Sequence, residues 1–256
     1  MTRIIAFTYG TVCYLIFLAT FLFGVAFIGN IGLSKTIDGT ATVPFGQALL
    51  INTLLLGLFA VQHSVMARPA FKQWWTRLVP KPVERSTYVL FSSLALLLLF
   101  HAWQPMGGTV WEVNDPILRG AIYSLYAGGW LLILVATFLI NHFDLFGMRQ
   151  VWLHLKGQPY TPLKFATPGL YRYVRHPLYV GWLFTFWATP TMTAAHLVFA
   201  LATTAYILIA IRWEERDLID IHGDSYRQYR KEVPMLIPAV SPYAPAGVRT
   251  RPARVA

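Results

Sequence analysis

The sequence predicts an all-α fold, a polytopic bundle of transmembrane helices with a helical hairpin near its C-terminal end. Three observations predict it: an apolar composition, five long runs without a charged residue, and a strongly uneven distribution of lysine and arginine. Of the 256 residues, 56% are hydrophobic and only 12% are charged, whereas soluble domains average about 25% charged residues. We therefore expect residues 1–256 to form a single integral-membrane domain.

Five uncharged runs are each at least as long as the roughly 20 residues that cross a bilayer as a helix. They cover residues 5–29, 39–67, 86–111, 120–143 and 178–211. The runs lack the alternation of apolar and polar residues that is typical of half-buried strands, so they predict helices. The first run is too long for the core of a signal peptide, and we expect it to be retained as a span.

Lysine and arginine are concentrated in alternate loops. Of the 21 basic residues, 19 lie at the N-terminus, between the second and third runs, between the fourth and fifth, or after the fifth; only Lys35 and Arg119 lie elsewhere. Because basic loops stay in the cytoplasm, we expect a multi-pass protein of a bacterial-type inner (cytoplasmic) membrane with both termini cytoplasmic. The net charge of +10 then reflects topology and contact with membrane lipid, and it does not indicate a nucleic-acid partner.

The last run is too long for one ordinary crossing, since residues 178–211 would extend about 51 Å as a single helix. Pro190 lies within it and is expected to break the helix. The result would be a hairpin with a short first arm and a long second arm. Its return brings two groups to one cytoplasmic face: Arg175 and His176 before it, and Arg212, Glu214 and Glu215 after it.

Both groups have two interpretations, one as membrane-surface anchors and one as a binding site. Arg172 and Arg175, with the tyrosines around them, fit anchors at a membrane surface, and Pro177 suits the first turn of a helix. The adjacent pair Glu214 and Glu215 favours a binding site instead. Carboxylates at the end of a long apolar helix are costly to desolvate unless they bind something cationic.

Several motifs carry a family resemblance. Arg-His-Pro-x-Tyr-x-Gly at 175–181, Glu-Glu at 214–215 and Gly-x-x-Tyr-x-x-Tyr-x-x-x-Val-Pro at 223–234 together resemble the isoprenylcysteine carboxyl methyltransferase and NnrU-like membrane superfamily. Residues 141–152 and 167–172 resemble the bacterial methanethiol S-methyltransferases more closely. The resemblance implies S-adenosylmethionine-dependent methylation of a small thiol, with methanethiol giving dimethyl sulfide.

The resemblance also implies a division of the chain and a cofactor site. N-terminal transmembrane helices occupy 1–141, a methyltransferase module with a cytoplasmic cofactor-binding segment occupies 142–238, and a cytoplasmic tail occupies 239–256. The implied S-adenosylmethionine-binding residues are Leu163, Lys164, Phe165, Ala166, Tyr171, His176, Pro177, Leu178, Tyr179 and Glu214, with Glu215 as the alternative carboxylate.

Methyl transfer from a sulfonium needs a good nucleophile held in line, and a thiolate is far more nucleophilic than a thiol. We expect Arg212 or Arg175 to stabilise the anion and His142 to accept the proton. His142 and Asp144 also fit a simpler role at the end of the fourth span. No metal is expected, because no metal-ligand spacing such as His-Glu-x-x-His occurs.

Two other functions stay open at this point, as does the oligomeric state. One is methylation of a lipid-linked carboxylate or amine, although the acidic run at 214–217 is shorter than in prenylcysteine enzymes. The other is an NnrU-like membrane protein without enzymatic activity that binds haem or supports respiration. Its axial ligands would be His63 and His101, which also fit ordinary hydrogen-bonded histidines.

Overall fold

The computed structural model describes residues 2–244, and within them the chain forms ten α-helices and two short strands. In chain order these are α1 (Arg3–Ile28), α2 (Phe45–Ala67), α3 (Pro69–Trp75), α4 (Lys81–Ala102), β1 (Thr109–Glu112), α5 (Pro116–Ile140), α6 (His142–Leu145), α7 (Met148–Leu155), α8 (Pro177–Trp187), β2 (Thr191–Thr193), α9 (Ala194–His222) and α10 (Asp224–Glu232). A 3-10 turn covers Gly169–Arg172. Five helices, α1, α2, α4, α5 and α9, are long and apolar enough to cross a membrane, which confirms the expected polytopic fold.

Capping residues set where the long helices begin. Asp115 accepts a hydrogen bond from the Leu118 backbone at the start of α5, at 2.9 Å, and Pro116 occupies the first turn.

Two of the predicted spans were too long. The helix α4 ends at Ala102, because Pro105 and two glycines with positive φ follow it, and α2 begins only at Phe45, directly after a proline.

Six helices close a ring of neighbours in the order α1, α4, α2, α9, α8 and α5. The ring closes between α5 and α1, where the Tyr126 hydroxyl donates to the Val25 carbonyl at 2.6 Å. Aromatic side chains from all parts of the ring fill its centre, among them Phe27, Trp103 and Phe199. This apolar core holds the bundle together at the end away from the basic loops.

The hairpin has the expected unequal arms, with α8 of 11 residues and α9 of 29 residues. The chain leaves helical geometry between them around Pro190, and β2 then pairs antiparallel with β1. Although α8 is only about 16 Å long, this pairing shows that the hairpin turn reaches the same end of the bundle as the loop between α4 and α5.

That end of the bundle is stabilised by a buried acid. The Asp38 carboxylate accepts from the Thr193 hydroxyl and the Asn30 amide, and lies 2.9 Å from Nδ1 of His196. Burial raises the pKa of Asp38, but its bonds to His196, Thr193 and Asn30 outweigh this and hold the pKa below its usual value. The loop between α1 and α2 is thereby tied to the hairpin turn.

The two ends of the bundle differ in charge. Lys35 and Arg119 lie at the end where the hairpin turn, β1 and the Asp38 loop meet. Every other lysine and arginine that the structure describes lies at the opposite end. The predicted alternation of basic and non-basic loops is therefore present in three dimensions; Arg249, Arg251 and Arg254 lie outside the described residues.

Candidate active site

The first turn of α8 meets the last part of α9 at the basic end of the bundle, and Glu215 is the centre of this contact. Arg175 Nε donates to Glu215 Oε1 at 2.7 Å, and His176 Nε2 lies 3.1 Å from the same oxygen. Arg230 Nη1, from α10, lies 3.7 Å from the other oxygen. The Glu215 side chain is only 10% exposed, so its charge is compensated by these partners and joins three segments.

The neighbouring carboxylate, Glu214, has a different environment. Its side chain is 46% exposed, and only the Tyr179 hydroxyl donates to it, at 3.0 Å from Oε2. Within the described residues its Oε1 has no hydrogen-bond partner, and His176 Nδ1 is 4.0 Å from Oε2. Because an ionised carboxylate has about four acceptor positions, Glu214 retains the capacity to bind a cationic group.

A small C-terminal cap covers the segment that carries Arg175 and His176. The backbone N–H groups of these two residues donate to the carbonyls of Pro234 and Met235, at 2.9 and 3.2 Å. Further along, the Tyr243 N–H donates to the Arg172 carbonyl at 2.7 Å. The start of the predicted tail thus belongs to this cap, while residues 245–256 lie outside the described part of the chain.

The tyrosines of the 223–234 motif form the core of the cap. Tyr226, Tyr229 and Val233 are buried together with Tyr243, and Phe165 packs against them. Burial raises the pKa of Tyr229, which stays protonated and donates to the Tyr171 carbonyl at 2.6 Å. The tyrosines of this motif therefore support the candidate site through their packing and through the hydrogen bond to the Tyr171 backbone.

Gly181, the last residue of the 175–181 motif, also serves packing. A Cβ atom built on it would lie 2.9 Å from the Gly129 carbonyl oxygen, and one built on Gly129 would lie as close to the Gly181 oxygen. Only glycine at both positions lets α5 and α8 approach this closely. This contact fixes the start of α8, and with it the His176 ring.

The structure brings together part of the implied cofactor set. His176 contacts Glu215 and lies beside Glu214, and Tyr179 donates to Glu214. Pro177 occupies the first turn of α8 as expected. The other implied residues lie around this group in different ways. Tyr171 is buried with its hydroxyl towards the Ala136 carbonyl, Phe165 belongs to the cap, and Leu178 follows Pro177. Leu163, Lys164 and Ala166 are exposed on a segment without regular secondary structure.

Of the three residues expected to act on the thiol, only Arg175 belongs to this group. His142, on α6, has Nε2 2.8 Å from the Tyr14 hydroxyl and Nδ1 2.9 Å from the Thr137 hydroxyl, and burial lowers its pKa. Arg212 is exposed and makes no hydrogen bond or ion pair within the described residues. Arg175 is engaged by Glu215 and by the Arg230 and Val233 carbonyls.

Comparison with known proteins finds methyltransferases over most of the chain. A family model described as phospholipid methyltransferase matches residues 123–225. A methanethiol S-methyltransferase of Crocosphaera subtropica is 58% identical, over 94% of this chain and 94% of its own length. One of Mycobacterium tuberculosis is 51% identical, over 93% of this chain and 98% of its own.

The chain belongs to the methanethiol S-methyltransferase family. This confirms the resemblance seen in the sequence motifs. A more distant relative, nurim of Rattus norvegicus, is 34% identical over 67% of this chain and 68% of its own length. No solved structure matches the chain.

Neither the relatives nor the positions of His63 and His101 favour the haem hypothesis. His63 is hydrogen-bonded to Tyr88 and Ser92, towards the basic end of α4. His101 is exposed and lies nine residues beyond Ser92, about 13 Å further along the same helix. Two histidines so far apart cannot ligate one iron from opposite sides.

Some contacts at and near the candidate site were not expected from the sequence, namely those of Arg230, of the Pro234 and Met235 carbonyls and of the Tyr14 hydroxyl. Arg230 was the only one with a sequence signal, since it directly follows the second tyrosine of the 223–234 motif. The carbonyls of Pro234 and Met235 and the Tyr14 hydroxyl carry no signal in a single sequence. Their roles follow from chain folding over distances of tens to more than a hundred residues.

Proposed function

We propose that this chain methylates methanethiol to dimethyl sulfide with S-adenosylmethionine as the methyl donor. The observation that carries the proposal is the near full-length identity to proteins named methanethiol S-methyltransferase. The same relatives favour a small thiol over a lipid-linked carboxylate or amine. The half-exposed Glu214, held beside His176 and Tyr179, supports a donor site at the junction of α8 and α9.

The residues at this junction fit the charge of the donor. S-adenosylmethionine carries a sulfonium and an amine, and when bound it supplies an electrophilic methyl group. Glu214 has a free carboxylate oxygen to accept from the amine, while Tyr179 fixes the other oxygen. The residues proposed to hold the donor are His176, Tyr179 and Glu214, with Leu163, Lys164, Phe165, Ala166, Tyr171, Pro177 and Leu178 around them.

Glu215 is proposed to act through His176. By accepting from Arg175 and lying against Nε2 of His176, it fixes the imidazole ring in one orientation beside Glu214. Rigid positioning of this kind matters because displacement at the methyl carbon requires the attacking sulfur, this carbon and the departing donor sulfur to be in line. The assignment of donor contact to Glu214, with Glu215 as support, follows from their different exposure.

The pH dependence of the reaction rate tests which group accepts the methyl. In membranes carrying the protein, the initial rate of dimethyl sulfide formation is expected to rise between about pH 6 and pH 8, because the thiolate fraction of a small thiol rises there. Headspace gas chromatography measures the product directly. A carboxylate acceptor is ionised throughout this range, so turnover of prenylcysteine with no pH rise, and none of methanethiol, would contradict the proposed acceptor.

We further propose that the basic end of the bundle faces the cytoplasm of a bacterial-type inner membrane, with both termini on that side. Alkaline phosphatase fused at Lys81 is then expected to be inactive, and the same enzyme fused at Asp115 to be active. These two positions lie at the beginnings of α4 and α5, at opposite ends of the bundle. Activity at Lys81 would reverse the orientation and place the candidate site outside.

A further inference from the structure

A second polar cluster lies inside the ring, and the proposed donor site does not use it. It is defined here as the His63 cluster: His63 and Ser64 of α2, Tyr88 and Ser92 of α4, and Tyr206 of α9. The Tyr88 hydroxyl lies 2.9 Å from His63 Nε2 and 3.1 Å from Nδ1, and the Ser92 hydroxyl also lies 3.1 Å from Nδ1. Tyr206 and Ser64 share a hydrogen bond of 2.9 Å. Polar groups this deep in a membrane-spanning bundle are costly and are typically functional.

The cluster lies next to the donor site and deeper in the bundle. His63 is about one helical turn from the end of α2. That end is held against α9 by the ion pair of Arg68 with Asp217, at 3.0 Å, only two residues beyond Glu215. Tyr179, which donates to Glu214, packs against the same apolar core as Phe59, the ring that lies on His63.

The surroundings of the cluster suit a small, weakly polar ligand. Phe59 stacks on the His63 ring with centroids 5.2 Å apart and also lies against Tyr206. His63 and Tyr206 each keep part of their surface exposed. The charged and titratable groups around His63 are Tyr88 and Arg85 from α4, Tyr206 from α9 and Arg68 from its own helix end.

The hydrogen bonds define how His63 can take up a proton. A neutral imidazole has one N–H donor and one lone pair. In the tautomer in which Nδ1–H donates to Ser92, the Nε2 lone pair accepts from the Tyr88 hydroxyl. Tyr88 can therefore receive a proton from a ligand while passing its own to Nε2, so Tyr88 stays neutral and the positive charge arises on His63.

We propose that the His63 cluster binds the acceptor thiol and that His63 is its proton acceptor, with Tyr88 as the relay. This inference rests on the proposed function, since it concerns the acceptor of the same reaction. The S–H bond of the thiol breaks and its proton reaches His63 through Tyr88. The sulfur electron pair forms the new S–CH3 bond, while the donor's C–S bond breaks and its electron pair stays on the donor sulfur.

The test compares His63→Ala and Tyr88→Phe with His101→Ala, a matched control at the other end of α4, in purified protein reconstituted in lipid nanodiscs. General base catalysis contributes about 100-fold or more, so both cluster variants are expected to lose at least about 100-fold of kcat/KM for methanethiol. His101→Ala should be unchanged. Calorimetric affinity for S-adenosylhomocysteine should stay within about twofold in all three, because the donor contacts are untouched.

A more acidic thiol distinguishes the loss of a proton acceptor in His63→Ala from structural damage caused by the substitution. Trifluoroethanethiol ionises more readily than methanethiol and needs less help from a base, so the loss in His63→Ala is expected to shrink with it. Equal loss with both thiols, or a wild-type rate with methanethiol, would overturn the inference. If the wild-type protein binds S-adenosylhomocysteine but makes no dimethyl sulfide, the proposed function fails and the assignment of His63 fails with it.

Discussion

Replacing Glu215 with glutamine is expected to lower the free energy of unfolding by about 3–5 kcal/mol, the usual cost of removing one member of a buried ion pair. The change leaves the Arg175 guanidinium without its buried counter-ion and weakens the contact with Arg230. It also removes the charge of the carboxylate that lies 3.1 Å from Nε2 of His176. Thermal unfolding in detergent, followed by tryptophan fluorescence, measures the loss, and methyl transfer should disappear with it.

The neighbouring glutamate provides the control for that experiment. Glu214→Gln removes a charge at the adjacent position of the same helix, where the side chain is 46% exposed and has one hydrogen-bond partner. Its unfolding temperature should stay close to that of the wild-type protein. If Glu215→Gln unfolds at the wild-type temperature, the buried pair does not hold α8, α9 and α10 together.

The second large effect is expected in donor binding. Glu214→Gln should weaken S-adenosylhomocysteine affinity by roughly 10- to 150-fold, since a hydrogen bond to a charged group contributes about 1.5–3 kcal/mol. The loss of methyl transfer should be larger, because a donor displaced by about 1 Å reacts on the order of 100-fold more slowly. Isothermal calorimetry and initial rates of dimethyl sulfide formation measure the two effects separately.

Asp220→Asn is the matched control for donor binding. Asp220 lies on the same helix, less than two turns beyond Glu214, and is exposed. It carries the same charge but takes no part in the contacts of His176 and Tyr179. Wild-type affinity in Glu214→Gln, or an equal loss in Asp220→Asn, would mean that general negative charge and not this carboxylate attracts the donor.

The fold could be predicted from the sequence because it depends on properties of continuous segments. Run length fixes which segments can cross a bilayer, and basic residues in alternate loops fix which ends share a side. Pro190 marked the break of the hairpin correctly. The ends of α2 and α4 were misjudged, since apolar composition alone does not distinguish a helix from an apolar loop containing Pro105 and Gly107.

The candidate site was accessible only in part. The sequence places Glu214 and Glu215 side by side, but successive helical residues point about 100° apart. Which of them faces the cap and which faces Tyr179 depends on how α9 is rotated, and that is set by packing along its whole length. The same limit applies to His142, whose partner Tyr14 lies on the first helix, and to His63, whose hydrogen bonds to α4 appear only in three dimensions.

The most direct test of the central claim is the fate of a labelled methyl group. Purified protein in nanodiscs is supplied with methanethiol and with S-adenosylmethionine whose transferable methyl is deuterated, and the headspace is analysed by mass spectrometry. We predict dimethyl sulfide with a single deuterated methyl group per molecule, formed by the wild-type protein and not by Glu214→Gln. No labelled dimethyl sulfide from protein that binds S-adenosylhomocysteine, with the label recovered instead in lipid or in prenylcysteine, would contradict it.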